Sequence, residues 1–258
     1  MRRCGGLIAA GLVLAAALHA QGSEAPAKVS SETQARIETI EPALEAYVKK
    51  GMAAFDVPGA AVGIVADDRL VYAKGFGVRR KGGGEPVDAK TVFQIGSTTK
   101  AFLATALAIA VDRGKLKWND RVIDRDPDFV LKDPWVTREF RVYDLLAQRS
   151  GLPPYANDLL AFLGFDADRL MHSLRFVEPR TSFRSTFTYT NITHLFAGRI
   201  AAQALGASDW QALARRELLD PLDMHETSFS ADAIENAPDH AAGHHWTRDG
   251  SVEIPFNP

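Results

Sequence analysis

Between Thr98 and Arg113 the apolar residues Ala101, Phe102, Leu103, Leu107, Ile109 and Val111 fall on every side of a 3.6-residue helical period. A helix with no polar face belongs at the centre of a domain, so the rest of the chain must pack around it. Gly114 is its natural stop. Lys100 is out of place on such a helix, because a lysine held against apolar surroundings is costly unless it has a partner or a task.

The flanking sequence supplies the packing partners. Ser31 to Phe55 reads as an amphipathic helix, with Ile37, Ile40, Leu44, Tyr47 and Val48 at helical spacing. Ser31 and Gln34 can form a capping box, Pro42 kinks the helix or opens its second half, and Pro58-Gly59 closes it. Ala60 to Ala66 and Leu70 to Val78 are β-rich runs around Asp67-Asp68-Arg69, which predicts a hairpin. Gly82-Gly83-Gly84 lies in a loop and lacks the Gly-Lys-Ser/Thr of a phosphate loop. Lys115 to Phe140 reads as mixed loop, Val142 to Arg149 as a short helix, and Leu159 to Leu174 as helical. Asn191 to Leu205 is a further helix stopped by Gly206, and Ser208 with Gln211 caps another that runs through Leu219. Helix, hairpin, then mostly helices is an α+β order, a helical domain beside an antiparallel sheet.

Composition removes several function classes. A hydrophobic fraction of 46% is that of a globular chain and excludes disorder. A formal net charge of −2 lacks the basic excess of a nucleic-acid-binding domain. One cysteine excludes a disulfide scaffold and a cysteine-based zinc site.

Residues 1–20 read as a secretory signal. Arg2 and Arg3 are followed by an apolar run from Leu7 to Leu18 and by small residues from Ala15 to Ala20. The run is shorter than the ~20 residues that span a bilayer. Cys4 precedes it and so is not a lipoprotein cysteine. Residues 21–30 read as a small, polar linker, and the folded part of the chain begins at residue 31. The expectation is an exported, periplasmic or secreted protein with no membrane span once the signal is cleaved.

The chemistry concentrates at Ile95-Gly96-Ser97-Thr98-Thr99-Lys100. Three-residue spacing puts Ser97 and Lys100 on one helical face. A serine hydroxyl is a weak nucleophile unless a neighbour takes its proton, and desolvation would fit a lysine to do so. Ser-x-x-Lys arises by chance about once in a chain of this length, so placement on the apolar helix is what gives it weight. A second feature is Tyr-x-Asn before a helix, present as Tyr189 with Asn191 and as Tyr155 with Asn157. Such a tyrosine can share a proton with Ser97, and such an asparagine can hold a substrate amide. No Gly-x-Ser-x-Gly elbow is present. His240, His244 and His245 lack a carboxylate at metal-ligand spacing, so no metal site is expected.

Taken in order, these residues resemble the class C β-lactamase-like serine hydrolases, a family that includes penicillin-binding DD-peptidases, esterases and D-aminopeptidases. The resemblance rests on Phe93-Gln94-Ile95-Gly96-Ser97-Thr98-Thr99-Lys100, then Gly114-Lys115-Leu116 with Asp120. Tyr143-Asp144-Leu145-Leu146, Ser150-Gly151-Leu152-Pro153, Phe187-x-Tyr189-x-Asn191 and Pro221-Leu222-Asp223-Met224 with Thr227 continue it. That order favours Tyr189 over Tyr155. It implies a β-lactamase/transpeptidase-like fold and a small-molecule or peptide substrate bearing an acyl group. Ser97 would be the nucleophile, Lys100 and Tyr189 would move its proton, and Asn191 would position the substrate. The Ser97 N–H would be one oxyanion donor, and no cofactor is implied.

The family's third motif, a Gly-bearing Lys or His stretch on an edge strand, is not found after Met224, and Ala242-Gly243-His244 reads as loop. The expectation is that residues 31–258 are a partial β-lactamase-like serine hydrolase domain, without the C-terminal sheet strands and with impaired activity. A non-catalytic penicillin-binding-like sensor or an inactive truncated product is the alternative.

Overall fold

A computed structural model describes residues 30–256. The signal read at residues 1–20 lies outside the described residues, as does the linker except for its last residue. Helix α1 spans Ser31–Phe55. Its cap is Ser30, one residue before the expected Ser31: the Ser30 hydroxyl accepts the Thr33 N–H at 3.0 Å. Pro42 is carried inside the continuous helix. Asp56 ends it in a left-handed conformation, donating its N–H to the Met52 carbonyl.

Strands β1 (Gly59–Ala66) and β2 (Arg69–Gly77) form the expected antiparallel hairpin, pairing Gly59 with Gly77 and Ala66 with Arg69. Asp67 and Asp68 both have positive φ, the conformation that lets a two-residue turn follow the strand twist. A side chain at Gly75 would strike the Val87 carbonyl, because the loop after β2 crosses the strand there. Helix α1 packs on this hairpin, and Lys74 bonds Glu45 across the contact.

A 3₁₀ turn at Gly96–Thr98 leads into α2 (Thr99–Asp112). Leu103, Ala106, Leu107 and Ala110 are buried at i, i+3, i+4 and i+7, while Ala101 and Thr105 are exposed. Burial on every side was therefore an overestimate: packing on α2 comes from one direction, through α7 (Ile192–Leu205) and α8 (Trp210–Ala214). The core between them is completed by a ring cluster, in which Phe129 lies 4.8 Å from Phe140 and 4.9 Å from Phe196.

The segment expected as loop holds α3 (Val122–Arg125) and α4 (Pro134–Glu139). Asp133 opens α4 by accepting the N–H groups of Trp135 and Val136. Residues 142–145 form only a 3₁₀ turn. The helix expected from Leu159 to Leu174 breaks at Gly164 (φ 82°) into α5 (Asp158–Phe162) and α6 (Ala167–Ser173). Asp209, not Ser208, caps α8, accepting the Ala212 N–H at 2.8 Å. A π-type turn then carries the chain through Leu219.

After α9 (Ala231–Glu235), Gly243–Thr247 is strand β3, paired antiparallel with β4 (Gly250–Ile254). The expected loop at Ala242-Gly243-His244 is thus the entry to a second hairpin. Among the described residues no helix is long and apolar enough to cross a membrane. The described residues thus form an α+β fold of helices and two small antiparallel sheets.

Candidate active site

Two short segments meet at the start of α2. Gly96, in the left-handed region at φ 50°, opens the 3₁₀ lead-in, so that Ser97 is its middle residue and Lys100 falls in the first turn of α2. Asn191 stands immediately before α7, with Tyr189 two residues earlier. All four residues selected from the sequence come together here.

Lys100 is the hub. Its ammonium Nζ donates to Ser97 Oγ at 3.0 Å, to Tyr189 Oη at 2.6 Å and to Asn191 Oδ1 at 2.7 Å. A lysine ammonium has three protons, so three acceptors satisfy it. The cost of a lysine on an apolar helix is thereby met by partners. Ser97 Oγ and Tyr189 Oη are 2.5 Å apart. The hydrogen bond from Lys100, then that from Ser97, holds the Tyr189 phenol below its ordinary value by favouring the phenolate. Desolvation and the Asp158 carboxylate act against that shift.

Two further residues hold this arrangement, and a third, His194, lies near it. Gln148 is buried, with a positive φ of 56°. Its side-chain amide exchanges two hydrogen bonds with the Thr190 backbone, accepting the N–H at 2.7 Å and donating to the carbonyl at 3.0 Å. Its own carbonyl accepts the Thr188 N–H at 2.7 Å. The residues on both sides of Tyr189 are therefore clamped by one glutamine. Asp158 Oδ2 accepts from Asn191 Nδ2 at 2.6 Å. His194 lies one turn into α7; burial and the nearby Lys100 push its imidazole down to about 4. Helical spacing from Asn191 could have flagged His194. Gln148 and Asp158 carry no such signal, because their partners lie 42 and 33 residues away.

Tyr155 does not enter the cluster. Its N–H donates to the Tyr189 carbonyl at 2.9 Å and its ring lies 5.6 Å from the Tyr189 ring, while its side chain faces solvent. Asn157 donates to Ser173 instead. His240 and His244 are engaged with backbone groups, at the Ala237 and Ala242 carbonyls.

A Beta-lactamase family model matches residues 44–258. Penicillin-binding protein 4 of Amycolatopsis lactamdurans is 32% identical over 66% of this chain and 44% of its own length. Unguisins hydrolase ungD of Aspergillus violaceofuscus is 28% identical over 71% of this chain and 33% of its own. Among solved structures, the octameric penicillin-binding protein homologue from Pyrococcus abyssi superposes with a TM-score of 0.68 at 27% identity, over 83% of this chain and 50% of that one. The class C beta lactamase from Rhodobacter sphaeroides gives 0.65 at 26%, over 83% and 57%. The chain thus spans a third to under half the length of these curated relatives and about half that of the solved ones.

Proposed function

The chain belongs to the Beta-lactamase family, and from that premise we propose that it cleaves an amide or ester through an acyl-enzyme on Ser97. The observation that carries the proposal is the 2.5 Å contact of Ser97 Oγ with Tyr189 Oη, both on the Lys100 ammonium.

In the proposed sequence Tyr189 Oη takes the Ser97 proton as Oγ attacks the acyl carbonyl carbon. Lys100 stabilises the phenolate form that makes this possible. The carbonyl oxygen becomes an oxyanion facing the Ser97 N–H. Collapse breaks the bond to the leaving group, which departs with the proton held by Tyr189. Water then gives a proton to Tyr189, attacks the acyl carbon and releases the acid, and the proton returns to Ser97 Oγ. Asn191 Nδ2 has a second N–H with which to hold a substrate amide. Ser97 N–H is the one oxyanion donor assigned here; a site with one donor works about 10²–10³ slower than a site with two. The proposal includes export, directed by residues 1–20, which N-terminal sequencing of the released protein tests.

A fluorophosphonate and a fluorescent penicillin test the reaction, the latter because one relative is named a penicillin-binding protein. Covalent labelling of the full chain, lost in Ser97→Ala, is the expected result. Tyr189→Phe should slow labelling by about 10²–10⁴. Folded protein that takes neither label overturns the proposal. Labelling without turnover marks the sensor reading.

A further inference from the structure

Asn191 sits between two opposite charges. Lys100 Nζ donates to its amide oxygen at 2.7 Å, and its amide nitrogen donates to Asp158 Oδ2 at 2.6 Å. A carboxylate only accepts and an ammonium only donates, so a flipped amide would face repulsion at both ends. Asp158 itself is held in place. Asn157 just before it has a left-handed φ of 60° and donates to Ser173 at 2.6 Å, and Tyr155 donates its N–H to the Tyr189 carbonyl. The start of α5 is therefore docked directly on the Tyr189–Asn191 segment.

We propose that Asp158 is a positioning residue of the Ser97 site, fixing the Asn191 amide toward the substrate. This deepens the acyl-enzyme reading and rests on it. The groups facing the Tyr189 phenol are Ser97 and Lys100 from the start of α2, Asp158 from α5 and the Tyr155 ring, while His194 of α7 faces Lys100. Asp158 is the anion among them and favours the neutral phenol. Removing its charge shifts Tyr189 toward phenolate, so the acidic limb of Ser97 acylation moves to lower pH.

The test uses the full chain with Asp158→Asn, which keeps an acceptor but removes the charge, and Asp158→Ala, which removes both. Near-ultraviolet absorbance of tyrosinate, with Tyr189→Phe subtracted, follows Tyr189 whether or not the protein is active. Its midpoint should fall in both variants. The pH profile of fluorophosphonate labelling should move with it. Asp158→Ala should also label about tenfold more slowly at its plateau than Asp158→Asn, as the amide loses its fixed orientation. An unmoved or raised Tyr189 midpoint in Asp158→Asn overturns the proposal. Equal plateaus for the two variants overturn it likewise. Loss of labelling in the parent chain with the midpoint still shifted would sink the hydrolase reading but leave Asp158 placed against the Tyr189–Asn191 segment.

Discussion

A single glutamine decides where Tyr189 points. The two hydrogen bonds between the Gln148 amide and the Thr190 backbone are buried, so losing them leaves backbone groups without partners. Gln148→Ala is expected to lower stability by about 1–3 kcal/mol and to slow fluorophosphonate labelling, measured by urea unfolding and by labelling rate on the folded fraction. His194 gives the site a pH signature. Its folded value of about 4 lies below its ordinary 6.5, so the unfolded chain binds the proton first. Its contribution to stability is intact above about pH 6.5 and is lost as pH falls through about 4. His194→Gln should flatten the fall in urea midpoint between about pH 6.5 and pH 4. At this scale Ser97 and Lys100 were legible because one helical turn joins them, and Tyr189 because it precedes a helix. Gln148 and Asp158 were not, because their roles exist only after distant segments dock.

Elements were legible where the pattern was local. The β1–β2 hairpin followed from its β-rich runs, and α7 from its apolar spacing and Gly206. Both capping boxes were off by one residue, because which oxygen meets the second or third helical N–H depends on backbone turns that composition does not encode. The β3–β4 hairpin escaped because adjacent histidines blurred its alternation. That hairpin depends on Asp56. Hydrogen bonds from Lys81 and from the Ser251 N–H hold the Asp56 carboxyl down at about 2, against an ordinary 3.8. Its contribution is present above about pH 4 and is lost as pH falls through about 2. The Ser251 amide resonance should shift over that window, and Asp56→Asn should show the acid-form shift already at neutral pH. A side chain at Gly250 (φ 107°) would come within 2.8 Å of the same carboxylate, so Gly250→Ala should loosen the hairpin likewise.

At the scale of the whole molecule, among the described residues the two sheets are two-stranded and the helical core lies against one face of α2. The cross-strand pair Val65 and Leu70 remains 68% and 65% exposed beside the open edges of the β1–β2 hairpin. The full chain should associate with rising concentration in sedimentation, and Leu70→Lys should reduce this without changing the unfolding midpoint. Total burial of α2 was the one global expectation that failed, since sequence shows what a helix can hide but not how much covers it. The Ser97–Tyr189 contact joins residues 92 apart in the chain. Closing so long a loop comes late and slowly during folding. The reactivity of Ser97 is therefore a clock: during refolding, covalent label should accumulate only after helical signal has returned, and the lag would time the docking of α7 on α2.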